Sequence, residues 1–202
     1  MTVHWTQHRF AGGVLALDTA NTVVLRGDPR GFDRLEEPME IVRFAAAASR
    51  HRSEELAERR LSVSDPQTVH PLVIEMREAI DSLFRSTVTD GRPGPGTLPR
   101  LLRACAAGLD GHDGTGGDGL SERQGRSIAF EAALAVSALS LLPAERSGRL
   151  RICPNCGWLF MDRSRNGSRL WCDMAVCGNR QKARRHYRRR RATGEERGDE
   201  HE

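Results

Sequence analysis

The chain has 202 residues, enough for one large domain or one domain with a small module, and 38% of them are apolar; with 20 glycines this is an ordinary globular composition, which excludes wholesale disorder. No uninterrupted apolar run approaches the roughly 18 residues a membrane span needs, and Asp18 closes the short run from Ala11 to Leu17, too little for a signal peptide, so a cytoplasmic protein is expected. The net charge of +4 conceals an asymmetry: residues 149–191 carry 13 basic residues against Asp162 and Asp173, a net of +11, while residues 1–148 carry −3 and residues 192–202 carry −4.

In chain order, residues 13–25 are apolar with Asp18, Thr19 and Asn21 inserted, and read as a helix. Residues 38–50 read as a second, with Pro38 in the first turn, where its missing N–H has no partner to lose. Ser53-Glu54-Glu55 opens a short third, ending near Leu61. After Asp65-Pro66, the apolar residues Val69, Leu72, Val73, Met76, Ile80, Leu83 and Phe84 recur at three and four, the spacing of one helix face. The Gly/Pro-rich run Asp90–Gly96 ends that helix. Leu98, Leu101, Leu102 and Cys105 mark another over 98–109, with Cys105 a small core residue. Residues 108–119, rich in Gly and Asp, read as a loop or hairpin, and Ser127–Leu142 as a long apolar helix at the centre of the core, stopped by Pro143. No segment before residue 148 alternates convincingly as a strand.

Four of the five cysteines cluster: Cys153 and Cys156 two residues apart, then Cys172 and Cys177. Reduced thiols in two close pairs at finger-like separation suit one tetrahedral Zn²⁺, and a closed four-sulfur shell leaves no open position, so the metal is structural. A redox pair at 153–156 lacks the βαβ context, and an iron–sulfur cluster is the other rival. Between the pairs, Trp158–Met161 and Arg169–Trp171 read as a hairpin turning at Asn166-Gly167, with Phe160 and Trp171 over the metal. A helix over 179–191 follows the last ligand. It would pack Ala183 and Tyr187 on the hairpin and present Gln181, Arg184, Arg185 and Arg188 on the opposite arc, flanked by Arg180, Lys182, Arg189 and Arg191. Arg reads guanine bidentately, Gln reads adenine, and flanking cations hold phosphates, so this arc suits a duplex groove. The expected architecture is mainly α: a multihelical N-terminal domain (1–148), a small treble-clef-like zinc finger made of a β-hairpin and a basic C-terminal helix (149–191), and an acidic disordered tail (192–202).

The stretch Cys153-Pro154-Asn155-Cys156-Gly157-Trp158, continuing through Cys172 and Cys177-Gly178-Asn179-Arg180, resembles the CGNR zinc-finger family. Leu17-Asp18-Thr19-Ala20-Asn21-Thr22 is similar to the opening of the ABATE-type helical domain that usually precedes it. The resemblance implies a bacterial, stress-linked transcriptional regulator with zinc on the four cysteines.

The smaller signals point to structure. Asp18 and Asn21 fit a buried pair bonded to backbone or to the finger better than a ligand pocket. His4 and His8 have helical metal-pair spacing but no third ligand. Asp162 fits an ion pair with Arg165 or Arg169. No nucleophile motif, phosphate-cradling loop or partnered carboxylate pair stands out, so no enzymatic activity is expected. The reading is a zinc-containing protein that binds double-stranded DNA, with a small-molecule or protein signal at its helical domain. The alternative is a protein-interaction or RNA-binding zinc module without sequence-specific DNA readout.

Overall fold

The computed structural model describes residues 3–110 and 127–195. Its described elements are α1 (Leu15–Ala20), β1 (Val23–Val24), β2 (Phe32–Asp33), α2 (Pro38–His51), β3 (Arg60–Ser62), α3 (Pro66–Asp90), α4 (Thr97–Leu109), β4 (Ser127–Ala129), α5 (Phe130–Leu139), α6 (Ala144–Ser147), β5 (Leu150–Ile152), β6 (Leu159–Met161) and α7 (Asn179–Glu195). A 3₁₀ turn over Gln7–Phe10 precedes α1, and a π turn over Met174–Gly178 leads into α7. The fold is mainly α, and no helix among the described residues is long and apolar enough to cross a membrane.

The expected α2, α3 and α4 are present. Asp65 caps α3 by accepting from the Gln67 amide at 3.1 Å and the Thr68 hydroxyl at 2.5 Å, and Gly91 ends it at φ +71°. The α3 stripe, including Val73, Met76, Ile80 and Phe84, packs with Ile41 and Phe44 of α2, Leu101 and Cys105 of α4, and Phe130 and Leu134 of α5. Cys105 is a core residue: its thiol points to the Ala135 carbonyl, and burial pushes it up to about 11. On α4, Leu98 and Leu102 are exposed, and Leu101, Ala104 and Cys105 form the inward stripe.

Three expectations are corrected. The first helix, expected over residues 13–25, spans only Leu15–Ala20; β-branched Thr22, Val23 and Val24 then leave for an extended pairing of β1 with β2. Residues 53–61 form no helix. Ala57 and Glu58 adopt positive φ of 49° and 60°, the Glu58 amide bonds back to the Ser53 carbonyl, and the chain leaves as β3. The apolar helix starts at Phe130, because Ser127–Ala129 pair in parallel with Arg60–Ser62 as β4. It ends at Leu139, and Val136 on its outer face is 56% exposed. The Gly/Asp-rich stretch lies outside the described residues beyond Asp110, where α4 has already carried the chain through Leu109.

The seam between the helices and the C-terminal segment combines buried side chains with hydrogen bonds to the β6 backbone. Leu150, Leu159 and Met161 of the β5–β6 hairpin are buried in the same core as the helices. Asn21, at the end of α1, pairs with β6 as a strand residue would: its amide nitrogen donates to the Leu159 carbonyl at 2.8 Å, and the Leu159 amide donates to Asn21 Oδ1 at 2.9 Å. The Met161 amide donates to the Gly12 carbonyl at 2.8 Å. Asp18 holds Gly12 in place, accepting from its amide at 2.9 Å and from Arg52 Nε at 2.6 Å. A Cβ on Gly12 would lie 2.8 Å from both Asp18 Oδ1 and Leu17 Cβ, so only glycine passes between α1 and β6 here. Asp18 and Asn21 are therefore the buried, backbone-bonded pair.

Candidate metal centre and basic helix

The hairpin that carries the first two cysteines differs from the expected one. β6 pairs antiparallel with β5, Leu150 opposite Met161 and Ile152 opposite Leu159, and the Cys153–Cys156 knuckle is its turn. Trp158–Met161 is a continuous apolar run because β6 is covered on both faces: Leu159 and Met161 by the helices, Trp158 and Phe160 by the cysteine cluster. Residues 169–171 form no strand. Asp162 organises that loop, accepting from the Ser164 amide (2.9 Å) and hydroxyl (2.6 Å) and from the Arg169 amide (2.9 Å). Those bonds, Ser164 first, hold its carboxyl below the usual carboxylate range. The expected ion pair is thus a loop cap, in which Arg169 takes part through its backbone. The Arg169 guanidinium donates to the Trp171 and Cys172 carbonyls and lies 5.4 Å from the Phe160 ring centroid.

The four sulfurs of Cys153, Cys156, Cys172 and Cys177 lie within 4.8 Å of one another. Cys156 and Cys172 are 3.5 Å apart, and Cys172 and Cys177 3.7 Å apart. A tetrahedral Zn²⁺ with bonds of about 2.3 Å needs sulfur separations of about 3.8 Å, so the donor set fits one structural zinc. Hydrogen bonds with Cys156 and Cys172 pull Cys153 far down, and the bond with Cys153 pushes Cys156 up to about 12 although its contact with Cys172 lowers it. Sulfurs this close cannot all ionise alone, and a divalent cation supplies the charge that lets all four be thiolates. Trp158, Phe160 and Trp171 surround them, Trp171 only in part.

Outer groups orient the ligands. Asn155 donates to Cys177 Sγ at 3.3 Å and accepts from Gln181 Nε2 at 3.1 Å. Asp173 caps the π turn, accepting from the Ala175 and Val176 amides at 2.8 and 3.2 Å. His8 is engaged with the finger: its Nδ1 bonds Asp173 Oδ2 at 2.8 Å and its ring stacks on Trp158 at 5.3 Å. Burial raises Asp173, but the bonds from His8 and the two amides outweigh it and hold the carboxyl below its usual range. From the α3 side, Arg85 donates to the Gly157 carbonyl of the knuckle at 3.0 Å.

Helix α7 starts at Asn179, directly after the turn holding Cys177, and runs to Glu195, four residues into the segment expected to be a disordered tail; residues 196–202 lie outside the described residues. Arg180, Lys182, Arg184, Arg185, Arg188, Arg189 and Arg191 are all exposed on it. The orientation differs from expectation. Ala183 and Tyr187 do not pack on the hairpin: both are exposed, Tyr187 by 61%, with Arg191 over its ring at 5.5 Å. The arc of Gln181, Arg184, Arg185 and Arg188 instead lines a cleft of about 490 Å³ with Leu170 and Trp171. Gln181 is half-buried, and its amide nitrogen serves Asn155 and the cluster, so it does not face outward as a base reader. The sequence holds no pattern that would mark this bond, which depends on the knuckle meeting the helix base.

The CGNR zinc finger matches residues 149–190, and the ABATE family, described as "Putative stress-induced transcription regulator", matches residues 13–145. No curated protein and no solved structure matches the chain.

Proposed function

Because the chain belongs to the ABATE family and ends in a CGNR zinc finger, we propose that it is a transcriptional regulator that binds duplex DNA through α7. The observation that carries this reading is the helix itself. Its cations stand exposed on a rod rooted in the metal cluster through Cys177, Asp173 and the Asn155–Gln181 bond. A polyanion relieves that self-repulsion, and an exposed rod is the shape a major groove admits. Arg184, Arg185 and Arg188 are the base readers in this proposal. Arg180, Lys182, Arg189 and Arg191 hold phosphates, and the helical domain receives the regulatory signal.

The test is selection by the purified, zinc-loaded protein from a random duplex pool and, separately, from an RNA pool. An enriched duplex motif supports the reading. On that motif, Arg188→Ala should cost about 1–3 kcal/mol and relax preference at particular base pairs. Arg191→Ala should weaken all duplexes alike and reduce the log–log salt slope by about one. Enrichment from the RNA pool alone, or equal loss by both variants on selected and scrambled DNA, overturns sequence-specific duplex readout.

A further inference from the structure

The buried and half-buried arginines of the helical region meet carboxylates. Arg52 pairs with Asp18 at 2.6 Å, and Arg77 with Asp33 at 2.7 Å and Glu78 at 2.9 Å. Arg26 pairs with Glu78 and Asp81, and Arg85 with Asp81. This is what physics requires, since a guanidinium taken from water without a counter-charge is costly.

Arg34 departs from the pattern. It is 5% exposed, its guanidinium makes one hydrogen bond, a long one of 3.4 Å to the Asn21 carbonyl, and it lies 5.5 Å from the ring centroids of both Phe32 and Trp158. Arg9, on the 3₁₀ turn, has a buried Nε with no hydrogen-bond partner. Among the described residues neither arginine forms an ion pair. Burial first, and then the charge of Arg9, brings Arg34 down to about 10. Arg34 thus lies against the finger's tryptophan without a carboxylate partner among the described residues, and Arg9 directly follows His8, which stacks on the same ring.

We propose that Arg9 and Arg34 form a binding site for a phosphate group at the seam where the N-terminal turn meets Trp158. Guanidinium forks match the several oxygens of a tetrahedral oxyanion, and aromatic faces on Arg34 leave its edge for that ligand. The site abuts the base of α7: His8, next to Arg9, stacks on Trp158 and bonds Asp173, the cap of the turn that launches the helix. Resting on the reading of α7 as a DNA-binding helix, the group belongs to the duplex backbone. Free phosphate presents the same chemistry.

The experiment uses the full-length zinc-loaded protein with two probes. Inorganic phosphate is titrated by calorimetry and thermal shift, with chloride adjusted to fixed ionic strength. A short duplex is titrated over several salt concentrations. Arg9→Gln carries the test, because among the described residues it breaks no ion pair and its buried Nε has no hydrogen-bond partner to lose; Arg34→Gln is the companion variant, with zinc content and helicity checked for both. Phosphate should stabilise the wild type, and Arg9→Gln should lose at least tenfold in phosphate affinity. A salt slope lowered by about one in Arg9→Gln identifies the backbone as the source. A lost phosphate response with unchanged duplex binding identifies free phosphate, and also supports the site. A wild type that responds to phosphate no more than to chloride, or an Arg9→Gln protein that responds like the wild type, overturns it. A protein that binds phosphate through Arg9 but binds no duplex refutes the α7 reading and leaves the site standing.

Discussion

Asn21→Ala removes both side-chain hydrogen bonds to Leu159 and nothing else polar. Asn21 is 3% exposed and Leu159 fully buried, so the Leu159 N–H and C=O would be left facing a small cavity. Each unsatisfied buried group costs about 1–3 kcal/mol, and entry of a water bridging the two sets the lower bound, so the variant should lose roughly 2–5 kcal/mol. That is a large share of a typical stability of about 5–15 kcal/mol. Asn21→Asp is the companion: it keeps an acceptor for the Leu159 amide but sets an oxygen against its carbonyl, and should cost a similar amount. The assay is urea unfolding followed by far-UV circular dichroism for the helices and by a chromogenic chelator for zinc release. Both transitions should move to lower urea together, because β6 belongs to both parts of the core. A helical transition that moves by less than about 0.5 kcal/mol would refute the argument that β6 is structural to the helical domain.

Zinc removal, or Cys172→Ser, should weaken the helices as well as the finger, because Leu150, Leu159 and Met161 lie in their core. A loss of 3 kcal/mol, a modest part of the roughly 10–16 kcal/mol that a structural zinc supplies, lowers the helical melting temperature by about 6–12 °C at 2–4 °C per kcal/mol; an unchanged helical melt speaks against the shared core. Burial pushes the Asp18 carboxyl up to about 7 despite Arg52. A raised carboxyl pKa favours the folded state while protonated, so this contribution is full below the ordinary value of 3.8 and is lost as pH rises through about 7. Wild-type stability measured relative to Asp18→Asn should therefore fall between pH 4 and 7, by at most about 1.4 kcal/mol per unit, and a flat difference contradicts the shift. Gly12→Ala should cost about 1–3 kcal/mol in thermal or urea unfolding by driving a methyl into Asp18 and Leu17; a neutral result would mean the α1–β6 seam has slack.

Where the pattern was local, the sequence reading matched the structure. The i, i+3, i+4 stripe from Val69 to Phe84 and the Pro66 and Gly91 punctuation lie within one helix, and two cysteine pairs announce their metal by spacing alone. The misses are pairings between distant residues. Arg60–Ser62 becomes a strand because Ser127–Ala129 arrives beside it, and neither triplet alternates long enough to show it. Asn166-Gly167, a strong turn signal, points to 169–171 as the partner of β6, whereas the strand pairs with β5. Those residues do turn, Gly167 at φ +62°, but Asp162 turns them into a capped loop. A signal was present in Trp158–Met161: four apolar residues in a row mean a strand covered on both faces, more than a finger hairpin alone provides. Arg34 left no mark, since an isolated arginine reads the same whether its counter-charge comes from the chain or from a ligand.

The bond between Asn21 and Leu159 spans 138 residues, which has a consequence at the ribosome. At about 5–20 residues per second, α1 emerges roughly 7–28 s before the strand that satisfies it. During that interval a nascent chain has α2, α3 and α4 available but lacks β6, the piece that closes over Gly12 and Asn21. Metal capture must wait for Cys177, and a chain left without zinc presents an unfinished α1 edge to chaperones and proteases as well as an open finger.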